Sequence, residues 1–137
     1  MKKGRISQII GPVIDVEFSE GELPEIYNAI KIIRSDQSVL ILEVQQHLGE
    51  NIVRCVSMDS TEGMIRGMEA LDTGEPISVP VGPQVLGRLI NVVGEPIDEL
   101  GEVSTEKRYP IHRPAPKYED LNTSSEILET GILLLTP

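Results

Sequence analysis

Aromatic residues are scarce in this chain: no Trp, one Phe (Phe18) and three Tyr (Tyr27, Tyr109, Tyr118). That argues against the stacking surface on which single-stranded nucleic acid is held. It leaves the core to Ile, Val and Leu, which favour pleated, half-buried strands. Positive charge is also in short supply, with 12 Lys and Arg against 22 Asp and Glu and a formal net charge of −10. Neutralising a phosphate backbone needs clustered Lys and Arg, so no nucleic acid is expected as a main partner. Cysteine occurs once, at Cys55, so no internal disulfide can form. It lies in an alternating apolar run and reads as a buried thiol rather than a reactive one. No stretch approaches the ~18 apolar residues of a membrane span. Lys2, Lys3 and Arg5 open the chain, but Asp15 and Glu17 interrupt the apolar run that follows, which makes a poor signal peptide. An intracellular protein, soluble or peripheral, is expected.

At 137 residues the chain is one ordinary domain, or one small domain and part of a second. Apolar residues in its first eighty positions alternate in twos. Val13–Phe18 places Ile14, Val16 and Phe18 on one face and Val13, Asp15 and Glu17 on the other. Arg5–Ile10, Ala29–Arg34, Val39–Gln46, Ile52–Met58 and Ile77–Val81 complete six expected strands. Gly11-Pro12, Gly21 to Pro24, Gly49-Glu50-Asn51 and Asp72-Thr73-Gly74 supply turns between them. Short strands at regular spacing predict an all-β sandwich or small barrel. Closure is favoured because it removes exposed edges.

Composition shifts at Pro80, Gly82 and Pro83, which mark a boundary. Leu86–Val93 is a nearly continuous apolar run, too short to assign by period alone. Gly94-Glu95-Pro96 and Glu99-Leu100-Gly101 are turns. Tyr109–Pro116 (YPIHRPAP) holds three prolines and must be extended, because Pro has no donor and biases its predecessor away from helix. Asn122 to Ser125 could cap a short helix through Ile127-Leu128.

Candidate sites are few. A P-loop needs G-x-x-x-x-G-K-[ST], so that backbone amides cradle phosphates and the Lys reaches them. The lysines are Lys2, Lys3, Lys31, Lys107 and Lys117, and none has that spacing. Gly82 to Arg88 echoes the motif, but Arg88 replaces the Lys and Leu89 the hydroxyl residue. A turn followed by an apolar strand or helix is the better reading. His47 and His112 stand alone in sequence, as surface or satisfied core histidines rather than metal ligands. Glu17, Glu20, Glu22 and Glu25 read as a solvated acidic face. Arg66 and Arg113 read as ordinary surface charges.

Gly4 to Ile6 with Gly11 to Phe18 resembles the opening strand pair of the beta subunit of F-type rotary ATP synthases. Leu23 to Ile30, Ser60 to Gly67, Thr73–Asp98 and Ile111 to Pro116 are similar to later segments of that subunit. The likeness runs from residue 4 to about 132. Glu95-Pro96 and the IHRPAP run favour beta over the related alpha subunit.

The resemblance implies a mainly β chain with two parts. Residues 1–81 would form a six-stranded N-terminal β-barrel that joins a crown of alternating alpha and beta subunits. Residues 82–137 would be the incomplete start of an α/β P-loop nucleotide-binding domain. The implied partners are alpha subunits, in a complex peripheral to the cytoplasmic face of the inner or plasma membrane. The full-length family uses ATP or ADP with Mg2+ to couple ATP synthesis or hydrolysis to proton transport. No catalytic, cofactor-binding or metal-binding residue transfers to this chain, which is expected to be inactive alone.

The departure from the family comes after Glu129 to Ile132, where Leu133 to Pro137 stands. It is expected to reflect a truncation before the P-loop. Apolar surface from about residue 86 is expected to favour a poorly behaved tail or self-association. Two alternatives stand beside this reading. One is a stand-alone barrel-containing module that binds or regulates the ATPase ring. The other is a beta-like subunit of an export or vacuolar-type ATPase, which the match at residues 73–98 disfavours.

Overall fold

The computed structural model describes residues 2–122, Ser124 and Ile127. Eight strands are defined: β1 (Lys3–Ile10), β2 (Val13–Phe18), β3 (Asn28–Ile33), β4 (Val39–Gly49), β5 (Ile52–Ser57), β6 (Glu69–Pro76), β7 (Ser78–Val81) and β8 (Lys107–Pro110). The first six close a barrel in the order β1-β2-β5-β4-β3-β6, and β1 pairs with β6 to seal it. Every pairing in the barrel is antiparallel. A mainly β chain with a closed six-stranded barrel is thus the observed fold.

The period-2 pattern places the core. Ile14, Val16 and Phe18 of β2, Ile30 and Ile32 of β3, Leu40, Leu42 and Val44 of β4, and Val53 and Cys55 of β5 all point inward and are buried. Ile6, Ala70 and Met64 complete this aliphatic interior. Gly4 on β1 is a close-approach glycine: a Cβ there would lie 2.7 Å from the Glu17 carbonyl oxygen and 2.9 Å from Val16 Cγ1. Register shifts interrupt β4 between Val44 and Gln46 and between His47 and Gly49. Such bulges bend a strand around a small barrel.

Five of the six expected barrel strands fall within a few residues of those observed. The sixth does not. Ile77–Val81 is not a barrel strand; β6 closes the barrel, and Ser78–Val81 is β7, which pairs with β8 in a separate two-stranded sheet. The turn-forming signals of Asp72-Thr73-Gly74 are absorbed by side chains instead. Asp72 accepts from Asn28 Nδ2 (3.2 Å) and Gly74 N (2.9 Å), and Thr73 Oγ1 donates to the Ala29 carbonyl (2.8 Å). These bonds stitch the segment to β3 where a free turn was expected.

Beyond β7, Pro83–Val85 and Tyr118–Asp120 form short 3-10 turns. The apolar run at Leu86–Val93 is neither strand nor helix; its one ladder contact is an isolated bridge between Ile90 and Pro96. Leu86, Leu89, Val92, Ile97 and Leu100 are exposed, while Ile90 and Val93 are half-buried. β8 carries Pro110 opposite Ser78 on a two-stranded edge, where a missing N–H is tolerated. The expected helix at Ile127-Leu128 and the end of the chain from Leu128 lie largely outside the described residues. No helix among the described residues is long and apolar enough to cross a membrane.

Candidate assembly surface

The outer face of the barrel carries paired charges and scattered aliphatics. Asp15 and Arg54 are direct cross-strand neighbours on β2 and β5. Arg54 Nε and Nη2 donate to the two Asp15 carboxylate oxygens, each at 2.8 Å. This fork geometry raises the Arg54 pKa through hydrogen bonding to Asp15. It also explains how Asp15 can be buried on a face the sequence reads as polar. Ile33 and Val39 sit opposite each other at the β3–β4 hairpin, both exposed. Ile10 and Leu48 are exposed near the β1–β2 and β4–β5 turns.

A loop from the segment after the barrel faces this hairpin. Val39, Ile41, Met58 and Asp59 line one side of a crevice of about 380 Å³, and Asn91, Val92, Val93, Glu95 and Ile97 line the other. Asn91 organises the loop. Its Oδ1 accepts from Val93 N (3.1 Å) and Glu95 N (2.8 Å), and its backbone N–H donates to the Glu95 carbonyl (2.8 Å). Gly94 lets the loop approach β7: a Cβ there would lie 2.7 Å from Pro80 Cδ. Arg108 on β8 donates to the carbonyls of Ser78 (2.7 Å) and Val93 (3.4 Å), tying loop and sheet together.

Arg88 settles the P-loop echo. Its Nε and Nη2 donate to Asp98 at 2.6 and 2.9 Å. Asp98 also accepts from Leu89 N and Leu100 N. The Arg88 hydrogen bonds, with these two amides, hold the Asp98 carboxyl well below the usual carboxylate range. Arg88 is therefore committed to closing its own loop.

The remaining residues singled out in the sequence are dispersed. Glu17, Glu20, Glu22 and Glu25 are all exposed. His47 Nε2 meets the Pro24 carbonyl at 2.8 Å. Arg113 lies 4.0 Å over the Tyr109 ring, and Arg66 is exposed. Cys55 is buried, and burial followed by the Asp15 charge pushes its thiol up to about 12. Among the described residues no group of three or more His, Cys, Asp or Glu could hold a metal ion. His112, solitary in sequence, meets the Glu43 carboxylate at 2.9 Å and stacks on Tyr27. Nothing local foretells that meeting, because Glu43 and Tyr27 lie far away along the chain.

The surface thus offers paired charges, exposed aliphatics and an attached loop. The family model for the beta-barrel domain of the ATP synthase alpha/beta family matches residues 6–74, about half of the chain. The match begins inside β1 and ends inside β6, so it spans the strands that close the barrel. With its closed six-stranded barrel and this match, the chain belongs to the ATP synthase alpha/beta family.

Proposed function

We propose that this chain is of the beta type and that its barrel is a lateral assembly module in a ring of alternating alpha and beta subunits. The carrying observation is the closed barrel with exposed aliphatics at its hairpins, Ile33 and Val39 above all. Beta identity is supported by Thr73–Asp98 and by the Ile111 to Pro116 run. Residues 1–81 would serve as the ring-forming part and residues from 82 onward as the lead into a nucleotide-binding domain. The assembled complex, peripheral on the cytoplasmic face of its membrane, would couple ATP synthesis or hydrolysis to proton transport.

Sedimentation velocity on the purified chain mixed with the alpha subunit tests the reading. A co-sedimenting species, lost in an Ile33→Asp/Val39→Asp variant that still folds, is the expected result. Independent sedimentation of the two would overturn it. Calorimetry with Mg-ATP is expected to give no binding at micromolar affinity.

A further inference from the structure

Glu43 lies on β4 between Leu42 and Val44, both of which point into the barrel core. Alternation therefore turns Glu43 outward, yet it is only 3% exposed. Its cover includes residues that follow the barrel. Gln45 Nε2 donates to Glu43 Oε1 at 2.5 Å, and His112 Nε2 meets Oε2 at 2.9 Å. Both carboxylate oxygens are engaged, one of them by a residue 69 positions away.

Tyr27 completes the arrangement. Its ring stacks on the His112 ring with centroids 4.3 Å apart and planes 29° from parallel. To place it, Tyr27 adopts φ 71, a left-handed conformation costly for a bulky residue. The conformation is held by a hydrogen bond from Tyr27 N to the Val44 carbonyl (2.8 Å) and by one from Asn28 N to the Glu25 carbonyl (3.1 Å). Backbone strain kept at one aromatic beside a hydrogen-bonded, buried carboxylate points to a contact with a purpose.

The position of His112 in the chain indicates that purpose. β8 ends at Pro110, and Ile111 N donates to the Ile77 carbonyl at 2.9 Å. Residues 111–120 are exposed. His112 thus lies just past β8, where the chain leaves the two-stranded sheet. Its own side chain is 46% exposed, which leaves the contact open to solvent on one side.

We propose that His112 is a releasable latch. By binding Glu43 and stacking on Tyr27 it clamps the strap that ends β8 against the barrel and fixes the direction in which the chain leaves the two-stranded sheet. Opening the latch would uncover a buried carboxylate and free the strap without unravelling the barrel, whose core contains none of these three residues. The inference goes beyond ring assembly and does not depend on it.

Hydrogen exchange by mass spectrometry on the intact chain is the test. In His112→Ala, amide exchange in peptides covering 107–114 is expected to rise about tenfold or more while the barrel peptides stay unchanged. In Glu43→Gln the same peptides should speed up, and adding His112→Ala should bring little further change, because both substitutions remove one contact. Unchanged exchange at 107–114 in a folded His112→Ala variant would overturn the latch. So would strictly additive effects of the two substitutions. Unfolding of the whole barrel in both His112→Ala and the milder His112→Gln would also overturn it, since His112 would then be a structural part of the barrel.

Discussion

Single residues on β2 and β5 show how far local pattern carries. Cys55 sits on the core face that alternation assigns to it, and Asp15 occupies the polar face as expected. What alternation cannot supply is the reach of Arg54 across the ladder, which lets Asp15 be buried. Cys55 gives a test of the packing around it. Its thiol is pushed up to about 12, well above the ~8.5 of an unfolded chain. The folded state therefore keeps the proton while the unfolded state loses it. The contribution to stability is complete below the unfolded value and declines as pH rises from there towards 12. Cys55 should resist alkylation at pH 8 and react once the chain is unfolded in urea. A Cys55→Ala variant should show a flatter loss of stability across the alkaline range, read from urea midpoints.

Elements are where sequence pattern both succeeded and failed. β1 to β5 follow from alternating aliphatics bounded by Gly, Pro, Asn and Asp. β6 was hidden because Asp72, Thr73 and Gly74 have strong turn chemistry, and their partners on β3 lie more than forty residues upstream. The buried Asp72 carboxylate satisfies both the Asn28 amide and the Gly74 N–H. Asp72→Ala would leave these donors without their acceptor, and a loss of about 1–3 kcal/mol is expected. Asn28→Ala should cost less, since Asp72 keeps the Gly74 bond. Urea unfolding of the two variants, compared at equal m-value, checks the order. The Leu86–Val93 run, too short to assign by its period, takes neither helix nor strand conformation, and only Ile90 bridges to Pro96.

At the scale of the whole molecule, the barrel depends on contacts between distant parts of the sequence. β1 pairs with both β2 and β6, so residues 3–10 close a circuit that ends near residue 76. Contacts so far apart in sequence make for slow folding, in milliseconds to seconds rather than microseconds. Deleting residues 2–10 would expose an edge on each of β2 and β6. That variant is expected to lose cooperative urea unfolding and to associate in sedimentation experiments, whereas the full barrel is expected to unfold in one transition. The segment after β7 stands on other supports: the Arg88–Asp98 fork, the Asn91 loop, the Arg108 ties and the His112 contact with Glu43.

The sequence by itself determined the strand-rich class, the aliphatic core face and the family likeness. All of these rest on residue type and on spacing within a few positions, which the chain carries locally. Tertiary structure alone decided which segment closes the barrel, that Arg88 is spent on Asp98, and that His112 finds Glu43 and Tyr27. The first and last of these join residues whose partner is chosen by how the strands wrap, while Arg88 and Asp98 meet through the turns of one loop. A hydrogen bond across dozens of residues leaves no period in the sequence, because its geometry exists only after the ladder has set the register.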